Sequence, residues 1–459
     1  MCGIAGIIDL KGGREIDRAA LRRMTDALAH RGPDGEGFFV EAGVGLGHRR
    51  LAIIDLAGGG QPMTSASGDS VLIFNGEIYN YRALARSLEQ QGATFRTMSD
   101  SEVLLEGLER DGPAFIDRVR GMFAFAHWNR RTRRLILARD RFGEKPLYYG
   151  ETPDGFLLFA SEVGALGAAR LMDLDHAPDA IADYFLYGYV PEPKSIYRQV
   201  RRLPPASLMT AGASGGASIT RYWRPDFDGG RTIDFREASA ELLALLDDAV
   251  DAQRVADAPL GAFLSGGVDS SAIVSAMAIK GGAVRTCTIG FDDPRFDERP
   301  EARRTAARYQ TDHVEQTATV EAAGLIDRIA AVYGEPFADA SALPTYLVCG
   351  AARRHVKVAL SGDGGDEVFG GYRRYRLFAA EEGFRRALPL AFRRSFFGTI
   401  GGVYPKLDWA PRPLRFKTTL QALGEDSLSA YARAVSAVLP DRAHAMLAGD
   451  FLGALQGYD

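Results

Sequence analysis

PLGAFLSGGVDSSAIVSAMA occupies residues 259–278. Its apolar start, GAFL, predicts a short buried strand, SGGVDSS predicts a tight loop, and the apolar run that follows predicts a helix. Where a strand passes through such a loop into a helix, backbone N–H groups and the helix N-terminus face one concavity, which suits an anion. The loop lacks the Gly-Lys-Ser/Thr ending of a Walker A motif. We therefore expect a different kind of phosphate site, with a plain tight turn as the alternative.

Further strands follow this loop. VRTCTIGFDD (284–293) predicts a buried strand followed by acidic residues, and KVALSGDGGDEVFGGYRRY (357–375) predicts another strand that ends in a glycine-rich acidic loop. REASAELLALLDDAVDAQRV (236–255) has helical periodicity and opens this part of the chain. Alternating strands and helices indicate an α/β fold with a doubly wound parallel sheet, whose ligands bind at the carboxyl ends of the strands.

The chain begins MCGIAGIIDL, with Cys2 directly after the initiator methionine. The apolar alternation that follows predicts a strand, which would hold the chain end in place. Removal of Met1 would put a free α-amino group beside the thiol, and an amine with a pKa of about 7.7 to 8.0 can accept the thiol proton. Cys2 is therefore a candidate nucleophile. The alternative is an ordinary exposed or half-buried terminal residue.

The next segments are rich in glycine and polar residues. HRGPDGEG (30–37) and GLGHRRLAIIDLAGGGQPM (45–63) predict turns around a short strand that Arg49 and Arg50 enter. VLIFNGEIYNY (71–81) predicts a strand that runs into a turn at Asn75–Gly76. TMSDSEVLLEGLER (97–110) predicts a loop with Ser99 or Asp100 capping a helix. Taken singly, these features fit a surface ion pair, a turn and a helix cap.

The domain boundary is predicted from TAGASGGASITRYWRPDFDGGR (210–231), which reads as a hairpin or loop that ends in a connection. We expect a first domain over residues 2–210, a connection over 211–235 and a second domain over 236–459. A chain of 459 residues is long enough for two or three domains with sizeable cores.

Composition excludes several classes of protein. The 55 basic and 59 acidic residues leave a net charge of -4, so we expect no general attraction to nucleic acid or to a membrane surface. No apolar run is long enough for a membrane span, and the N-terminus lacks the pattern of a signal peptide, so a cytoplasmic location is expected. Cys2, Cys287 and Cys349 lie too far apart for a metal motif or a disulfide framework, and the last two are predicted to be core thiols.

Several motifs together resemble a known family. MCGIAG, RGPDG, RRLAIIDL, FNGEIYN, SDSE, GMFAFA and ARDRFGEKPLYY occur in the order seen in class II glutamine amidotransferases of the asparagine synthetase type. The resemblance implies an N-terminal-nucleophile hydrolase domain with an αββα sandwich. It implies that Cys2 attacks the glutamine amide and that Arg50 binds the α-carboxylate. It also assigns Asn75 and Gly76 to the oxyanion hole, and Glu77 and Asp100 to the other polar groups of glutamine.

SGGVDSS (265–271) similarly resembles the pyrophosphate loop of ATP pyrophosphatases, which cleave ATP between the α and β phosphates and adenylate an oxygen. The resemblance implies a nucleotide site and a role for Asp363 in forming an aspartyl adenylate. It places Mg²⁺ at Asp269 and Asp366, whose carboxylates suit that ion. The residues it implies for binding ATP are Leu264, Ser265, Gly266, Gly267, Asp269, Ser270, Ile289, Ser361 and Gly362.

Together the two halves imply that ammonia released from glutamine passes internally to aspartate that ATP has activated as β-aspartyl-AMP, giving asparagine. Homodimers are common in the resembling family. Its members also continue with a segment resembling SLEARVPFLD and a lysine in a short basic motif; neither occurs in these 459 residues, so the second domain is expected to lack the family's C-terminal part. Two alternatives remain open. One is an amidotransferase of the same architecture acting on another carboxylate, such as a sugar acid, and the other is a protein with glutaminase or nucleotide-binding activity alone.

Overall fold

The computed structural model describes residues 1–212, 216–227, 230–295, 297–318, 322–407, 409–411, 415–438, 442–443, 446–447, 449, 453 and 455. The described residues form two compact units, one made of residues 1–177 and 192–361 and the other of residues 178–191 and 362–459. Part of the predicted connection, at 213–215 and 228–229, lies outside the described residues. The domain limits at 210 and 235 stay a prediction.

Antiparallel strands dominate the N-terminal part of the first unit. In chain order the elements of residues 1–221 are β1 (Gly3–Asp9), α1 (Arg18–Ala27), β2 (Gly35–Glu41), β3 (Val44–Arg50), β4 (Met63–Thr64), β5 (Ser70–Ile78), α2 (Tyr81–Glu89), α3 (Asp100–Asp111), β6 (Gly121–Asn129), β7 (Arg134–Arg139), β8 (Tyr148–Glu151), β9 (Phe156–Ala160), α4 (Val163–Ala168), α5 (Pro178–Tyr187), β10 (Val200–Arg202), β11 (Ser207–Gly212) and β12 (Gly216–Arg221). A 3₁₀ turn covers Gly112–Arg118. Two sheets result, in the orders β10-β8-β9-β1-β3-β2 and β12-β11-β7-β6-β5-β4.

Strand alternation explains how these sheets form four layers. Along β1, Ile4 packs into the core between the two sheets, whereas Ile7 packs against α1 and α4. Along β5, Ile73 joins the core between the sheets, and Phe74 packs with residues of α2 and α3. Because successive side chains of a strand point to opposite faces, each sheet buries both of its faces. The predicted αββα sandwich is confirmed.

A parallel sheet forms the rest of the first unit. Its elements are α6 (Phe235–Gln253), β13 (Leu260–Phe263), α7 (Val268–Ile279), β14 (Arg285–Gly290), α8 (Arg299–Tyr309), β15 (Asp312–Thr317), α9 (Ala322–Tyr333), α10 (Ala342–Ala352) and β16 (Val358–Leu360). The strands are parallel in the order β15-β14-β13-β16, so the order reverses between β13 and β16.

Helices cover both faces of this sheet. Ala262 of β13 packs with residues of α6, α7 and α8, whereas Cys287 of β14 packs with Ala352 of α10. The doubly wound sheet is therefore confirmed. In such a sheet the crevice at the reversal point, next to the carboxyl ends of β13 and β16, is the usual place for a ligand.

The second unit is helical in its described residues. Besides α5 it contains α11 (Gly365–Phe369), α12 (Arg373–Ala387), α13 (Leu390–Arg393), a π-helical turn over Arg394–Gly398, α14 (Thr399–Val403), α15 (Lys417–Gly424) and α16 (Ser427–Val435). Within the described ranges, every helix of the chain is too short or too polar to cross a bilayer.

Three local predictions are wrong. Asn75–Gly76 is not a turn, because β5 continues through both residues and pairs with β6 as far as Ile78. Arg49 and Arg50 end β3 rather than entering it, since the strand begins at Val44. Cys349 is exposed rather than in the core, because the buried side of α10 is formed by other residues, whereas Cys287 is buried as predicted.

Candidate active site

Cys2 lies immediately before β1, in the middle of the first sheet. Gly3 pairs with Arg49 of β3, so the chain end is held by the sheet. The N–H of Leu51 donates to Cys2 Sγ over 3.4 Å, and Arg31 Nε donates to the Cys2 carbonyl over 3.0 Å. The thiol is thus held in one place, as a nucleophile requires.

Burial sets the protonation of this chain end. It raises the pKa of the Cys2 thiol, since the thiolate would lose solvation. It also lowers the pKa of the α-amino group of Met1 to about 6, since the ammonium would lose solvation too. Near pH 7 the thiol is therefore protonated at rest, and the α-amine of Met1 beside it is mostly neutral.

Arg50, the last residue of β3, is fixed by the backbone that follows it. Its guanidinium donates to the carbonyls of Asp55 (2.6 Å), Leu56 (3.0 Å) and Ile54 (3.4 Å). A Cβ on Gly59 would lie 2.5 Å from Arg50 Nη2, so a larger residue there would displace the guanidinium. A guanidinium held in this way is suited to a carboxylate of a ligand.

Asn75 is the most unusual residue of the site. It lies within β5, opposite Ala124 of β6, and its side chain is 1% exposed. Neither its amide nitrogen nor its amide oxygen has a hydrogen-bond partner among the described residues. The next residue must be glycine, because a Cβ on Gly76 would lie 2.1 Å from the Met122 carbonyl oxygen of the paired strand. An unpartnered buried amide is costly, so it indicates a place where a ligand atom completes the hydrogen bonds.

Two carboxylates lie nearby. Asp100 begins α3, is 4% exposed and accepts a hydrogen bond from the Ile78 N–H over 2.9 Å. Ser99 is the helix cap, its side chain accepting from the Glu102 N–H, so of the two residues predicted as the cap it is the serine that has this role. Burial raises the pKa of Asp100 to about 6.

Glu77 has one buried carboxylate oxygen that finds no hydrogen-bond partner in the described part of the chain. Burial, and then the charge of Asp100, raise the pKa of Glu77, while the buried Lys145 acts in the opposite direction. Two buried carboxylates that repel each other favour a cationic group of a ligand between them, since it would relieve both the repulsion and the lost solvation.

Cys2, Arg50, Gly76, Glu77 and Asp100 line one pocket. Asn75 is not part of this lining, although both of its chain neighbours, Phe74 and Gly76, are. The structure therefore brings five of the six residues predicted for the glutamine site into one pocket, from segments that are up to 98 positions apart in sequence. The other lining residues are Leu51, Ile53, Ile54, Gly59, Gln61, Phe74 and Ser101.

Sequence reasoning missed two polar residues of this pocket. Gln61 Nε2 donates to Ser101 Oγ over 3.2 Å, and Gln61 Oε1 accepts from the Phe74 N–H over 2.6 Å. Gln61 thereby ties a glycine-rich loop to β5. Ser101 could have been suspected because it follows Asp100 in SDSE, but no local pattern singles out Gln61. Lys145, only 5% exposed, lies in the quoted motif ARDRFGEKPLYY and received no role.

The loop after β13 has the predicted strand-loop-helix form. Ser265 Oγ lies 2.8 Å from Ser270 Oγ and accepts from the Gly267 N–H over 3.1 Å, which holds the loop on the first turn of α7. The Gly266 N–H donates to Glu298 Oε2 over 3.0 Å. A carboxylate thus occupies one of the N–H groups predicted for phosphate, a contact that sequence reasoning missed.

The remaining residues predicted for ATP are placed as follows. Leu264 is 2% exposed in the core below α7, whereas Ile289 on β14 is partly exposed. Asp269 lies in the first turn of α7. Ser361 follows β16 at the end of the first unit, whereas Gly362, Asp363 and Asp366 belong to the second unit, with Asp366 in the first turn of α11.

The side chains that could bind a metal ion are spread out in this structure. Throughout the described ranges, no three His, Cys, Asp or Glu side chains converge so that they could hold a metal ion by themselves. Mg²⁺ bound with a nucleotide needs only one or two carboxylates, since phosphates and water supply the other oxygens. Asp269 and Asp366, which belong to different units, each offer carboxylate oxygens of the kind that Mg²⁺ prefers, and their role stays a prediction.

Known proteins match both parts of the chain. The family model for a glutamine amidotransferase domain matches residues 1–223, and the model for asparagine synthase matches residues 241–451. A Bacillus subtilis protein named glutamine-hydrolyzing asparagine synthetase 1 is 38% identical over 379 residues, which are 82% of this chain and 60% of that protein. The Escherichia coli asparagine synthetase B is 32% identical over 81% of this chain and 65% of its own length.

A Methanocaldococcus jannaschii protein that carries the name glutamine-hydrolyzing asparagine synthetase 2 is 34% identical over 429 residues. The match covers 88% of this chain and 81% of that protein. By contrast, the chain spans 60% of the length of the Bacillus relative and 63% of the length of a Mycobacterium tuberculosis relative. The order of motifs, the two-sheet and parallel-sheet folds and these matches agree: the chain belongs to the family of glutamine-hydrolysing asparagine synthetases.

Proposed function

We propose that this chain hydrolyses glutamine at Cys2 and uses the released ammonia to convert aspartate to asparagine at the expense of ATP. The observation that carries the first step is the pocket in which the Cys2 thiol, the Arg50 guanidinium and the Glu77 and Asp100 carboxylates converge beside the unpartnered amide of Asn75. Each of these groups complements a different part of glutamine. The match to asparagine synthetases supports the second step.

In the proposed first step, Arg50 binds the α-carboxylate of glutamine, and Glu77 with Asp100 binds its α-ammonium. Met1 is removed, so that the α-amine of Cys2 takes the thiol proton as Sγ attacks the side-chain amide carbon. Asn75 and Gly76 donate hydrogen bonds to the resulting oxyanion. The amine returns the proton to the leaving nitrogen, ammonia departs, and water then hydrolyses the thioester to glutamate and free thiol.

In the proposed second step, the loop at Ser265–Ser271 binds the phosphates of ATP, and the β-carboxylate of aspartate attacks the α-phosphate to release pyrophosphate. Ammonia then attacks the acyl carbon of β-aspartyl-AMP and displaces AMP. Activation is needed because a free carboxylate is a poor electrophile. Asp269 and Asp366 would hold Mg²⁺, which when bound neutralises charge on the leaving pyrophosphate.

The test is a product assay with MgATP and aspartate, supplied with either glutamine or ammonia. The proposal predicts glutamate from glutamine, and AMP with asparagine in equal amounts from both nitrogen donors. Glutamate without aspartate-dependent AMP would contradict the aspartate step and leave the glutaminase step in place. In that case sugar acids are the next acceptors to test, since a different carboxylate is the acceptor in the nearest alternative. No glutamate would contradict the glutaminase step itself.

A further inference from the structure

The loop over residues 51–58 forms one wall of the glutamine pocket. Its first N–H, that of Leu51, contacts Cys2 Sγ at 3.4 Å. Three of its carbonyls, those of Ile54, Asp55 and Leu56, accept hydrogen bonds from Arg50. The position of this loop therefore fixes both the thiol and the guanidinium.

The far side of the loop is bonded to the chain just before β13. The N–H groups of Asp257 and Ala258 both donate to the Ile53 carbonyl, over 3.0 and 3.2 Å. In return the Asp55 N–H donates to Asp257 Oδ2 over 2.7 Å. Asp257 thus contacts the loop on both sides of Ile54, through its backbone and through its side chain.

A second anchor lies just before β16. Lys357 Nζ is 2.7 Å from Asp34 Oδ2, and the same oxygen accepts a hydrogen bond from the Ala52 N–H over 2.8 Å. The Asp34 N–H in turn donates to the Arg50 carbonyl over 2.9 Å. Burial opposes ionisation of Asp34, but the hydrogen bonds from Lys357 and the Ala52 N–H, together with the charges of Lys357 and Arg50, outweigh it and lower the pKa of this carboxyl group. Asp34 is therefore ionised at neutral pH.

The two anchors share one base. The N–H groups of Lys357 and Val358 both donate to the Pro259 carbonyl, over 2.8 and 3.2 Å, and Leu260 pairs with Val358 where β13 and β16 begin. Since a rigid sheet holds both anchors at a fixed separation, they can define the position of the loop. The 51–58 loop itself has no regular secondary structure that would do so.

We propose that Asp257 and Lys357, which belong to the parallel-sheet part of the chain, are positioning residues for the glutamine pocket of the N-terminal part. Asp257 fixes the position of the carbonyls that accept hydrogen bonds from Arg50. Lys357, through Asp34, fixes the position of the backbone beside the Cys2 thiol. The inference rests on the proposed glutaminase function of Cys2. It implies that the N-terminal sandwich alone does not form a fully competent glutamine site.

The experiment compares Asp257→Ala and Lys357→Met with the unmodified full-length chain in steady-state glutamine hydrolysis. Each substitution removes a charge-assisted hydrogen bond, and we expect kcat/KM to fall about tenfold. The two losses should differ in kind. Asp257→Ala should mainly raise KM, because it frees the carbonyls around Arg50, whereas Lys357→Met should mainly lower kcat, because it frees the backbone beside the thiol.

Two conservative variants and one control separate positioning from general stability. Asp257→Asn keeps an acceptor for the Asp55 N–H, and Lys357→Arg keeps the ion pair, so both should restore most of the lost activity. Arg285→Met breaks an ion pair with Asp312 on the neighbouring strand of the same parallel sheet and should keep the parent kinetics. Thermal unfolding of each variant is measured in parallel. Should Lys357→Met fail to fold, Lys357→Gln replaces it, since a neutral amide also removes the charge.

The inference is overturned if folded Asp257→Ala and Lys357→Met hydrolyse glutamine with kcat/KM within about twofold of the parent. It is also overturned if Arg285→Met loses as much activity as they do, since the loss would then reflect the sheet as a whole. Absence of glutamine hydrolysis by the unmodified chain is a different result, because it contradicts the proposed function rather than the role of the two anchors.

Discussion

Replacing Asn75 by alanine should lower the rate of glutamine hydrolysis without lowering the stability of the fold. The Asn75 amide is buried, and neither of its polar atoms has a partner among the described residues. In the proposed reaction, however, its N–H group donates to the oxyanion. The same group is therefore expected to cost stability in the resting protein and to lower the barrier of the reaction.

The expected changes in kcat and in the free energy of unfolding follow from typical magnitudes. Loss of one oxyanion-hole donor typically lowers kcat by about 100- to 1,000-fold, or about 2.7 to 4 kcal/mol of transition-state stabilisation. An unpartnered buried amide costs about 1 to 3 kcal/mol, and truncation to alanine relieves that cost while leaving a small cavity. The free energy of unfolding of Asn75→Ala should thus stay within about 1 kcal/mol of the parent or rise.

Asn80 offers a matched control. Its side chain lies just before α2, donating to the Arg118 carbonyl and accepting from the Arg120 N–H, both over 2.9 Å. Asn80→Ala deletes the same amide from a partly exposed place where both of its polar atoms have a hydrogen-bond partner. It should lower the free energy of unfolding by about 1 to 2 kcal/mol and leave glutamine hydrolysis unchanged. Glutamate release measures the activity, and denaturant unfolding measures the stability.

Either of two results would refute this reasoning. If Asn75→Ala keeps kcat within about threefold of the parent, the amide does not serve the oxyanion. If it destabilises the protein as much as Asn80→Ala does, the amide is bonded in the resting fold, and the inference from its unpartnered atoms fails.

Three further changes test the site. Cys2→Ala should abolish glutamine-dependent asparagine formation and retain formation from added ammonia, and loss of both would contradict two separate sites. Gly76→Ala should destabilise the protein by about 1 to 3 kcal/mol or more in denaturant unfolding, since the added Cβ would lie 2.1 Å from the Met122 carbonyl oxygen, and a parent-like value would show that β5 and β6 can separate there. Burial raises the pKa of Asp100 from 3.8 to about 6, so between these values the folded protein retains a proton that the unfolded chain releases, and stability falls as pH rises. Asp100→Asn should remove this part of the fall, as unfolding at pH 4, 5 and 6 will show, and an unchanged pH dependence would assign it to other groups.

Local patterns predicted the framework well. The alternation after Cys2 predicted β1, and the apolar run, SGGVDSS and second apolar run predicted β13, the loop and α7. These predictions hold because strand alternation and a glycine-rich strand-to-helix loop depend on neighbours within a few residues. The same local reasoning failed at Asn75–Gly76. An Asn-Gly pair favours a turn, but here the chain stays extended because it pairs with β6. The Met122 carbonyl of β6 lies so close to Gly76 that only glycine fits.

The exposed Cys349 shows a second limit. An apolar helix such as α10 does not reveal in its sequence which side a neighbouring element covers, so its cysteine was assigned to the core. For Cys287 the same reasoning succeeded, since a strand in the middle of a parallel sheet is covered on both faces.

The sequence by itself determined the parallel sheet, the identity of the candidate nucleophile and the type of residue that surrounds it, because these depend on short motifs, whereas the antiparallel sandwich was implied by the family resemblance that the motifs carry. Only the tertiary structure decided that the Asn75 amide has no partner among the described residues, that Glu298 contacts the SGGVDSS loop, and that Asp257 and Lys357 contact the segments beside the Cys2 pocket. The physical reason is range. Lys357 and Asp34 are 323 positions apart, and a contact at that separation exists only once both sheets have packed, so no local pattern in the chain can specify it.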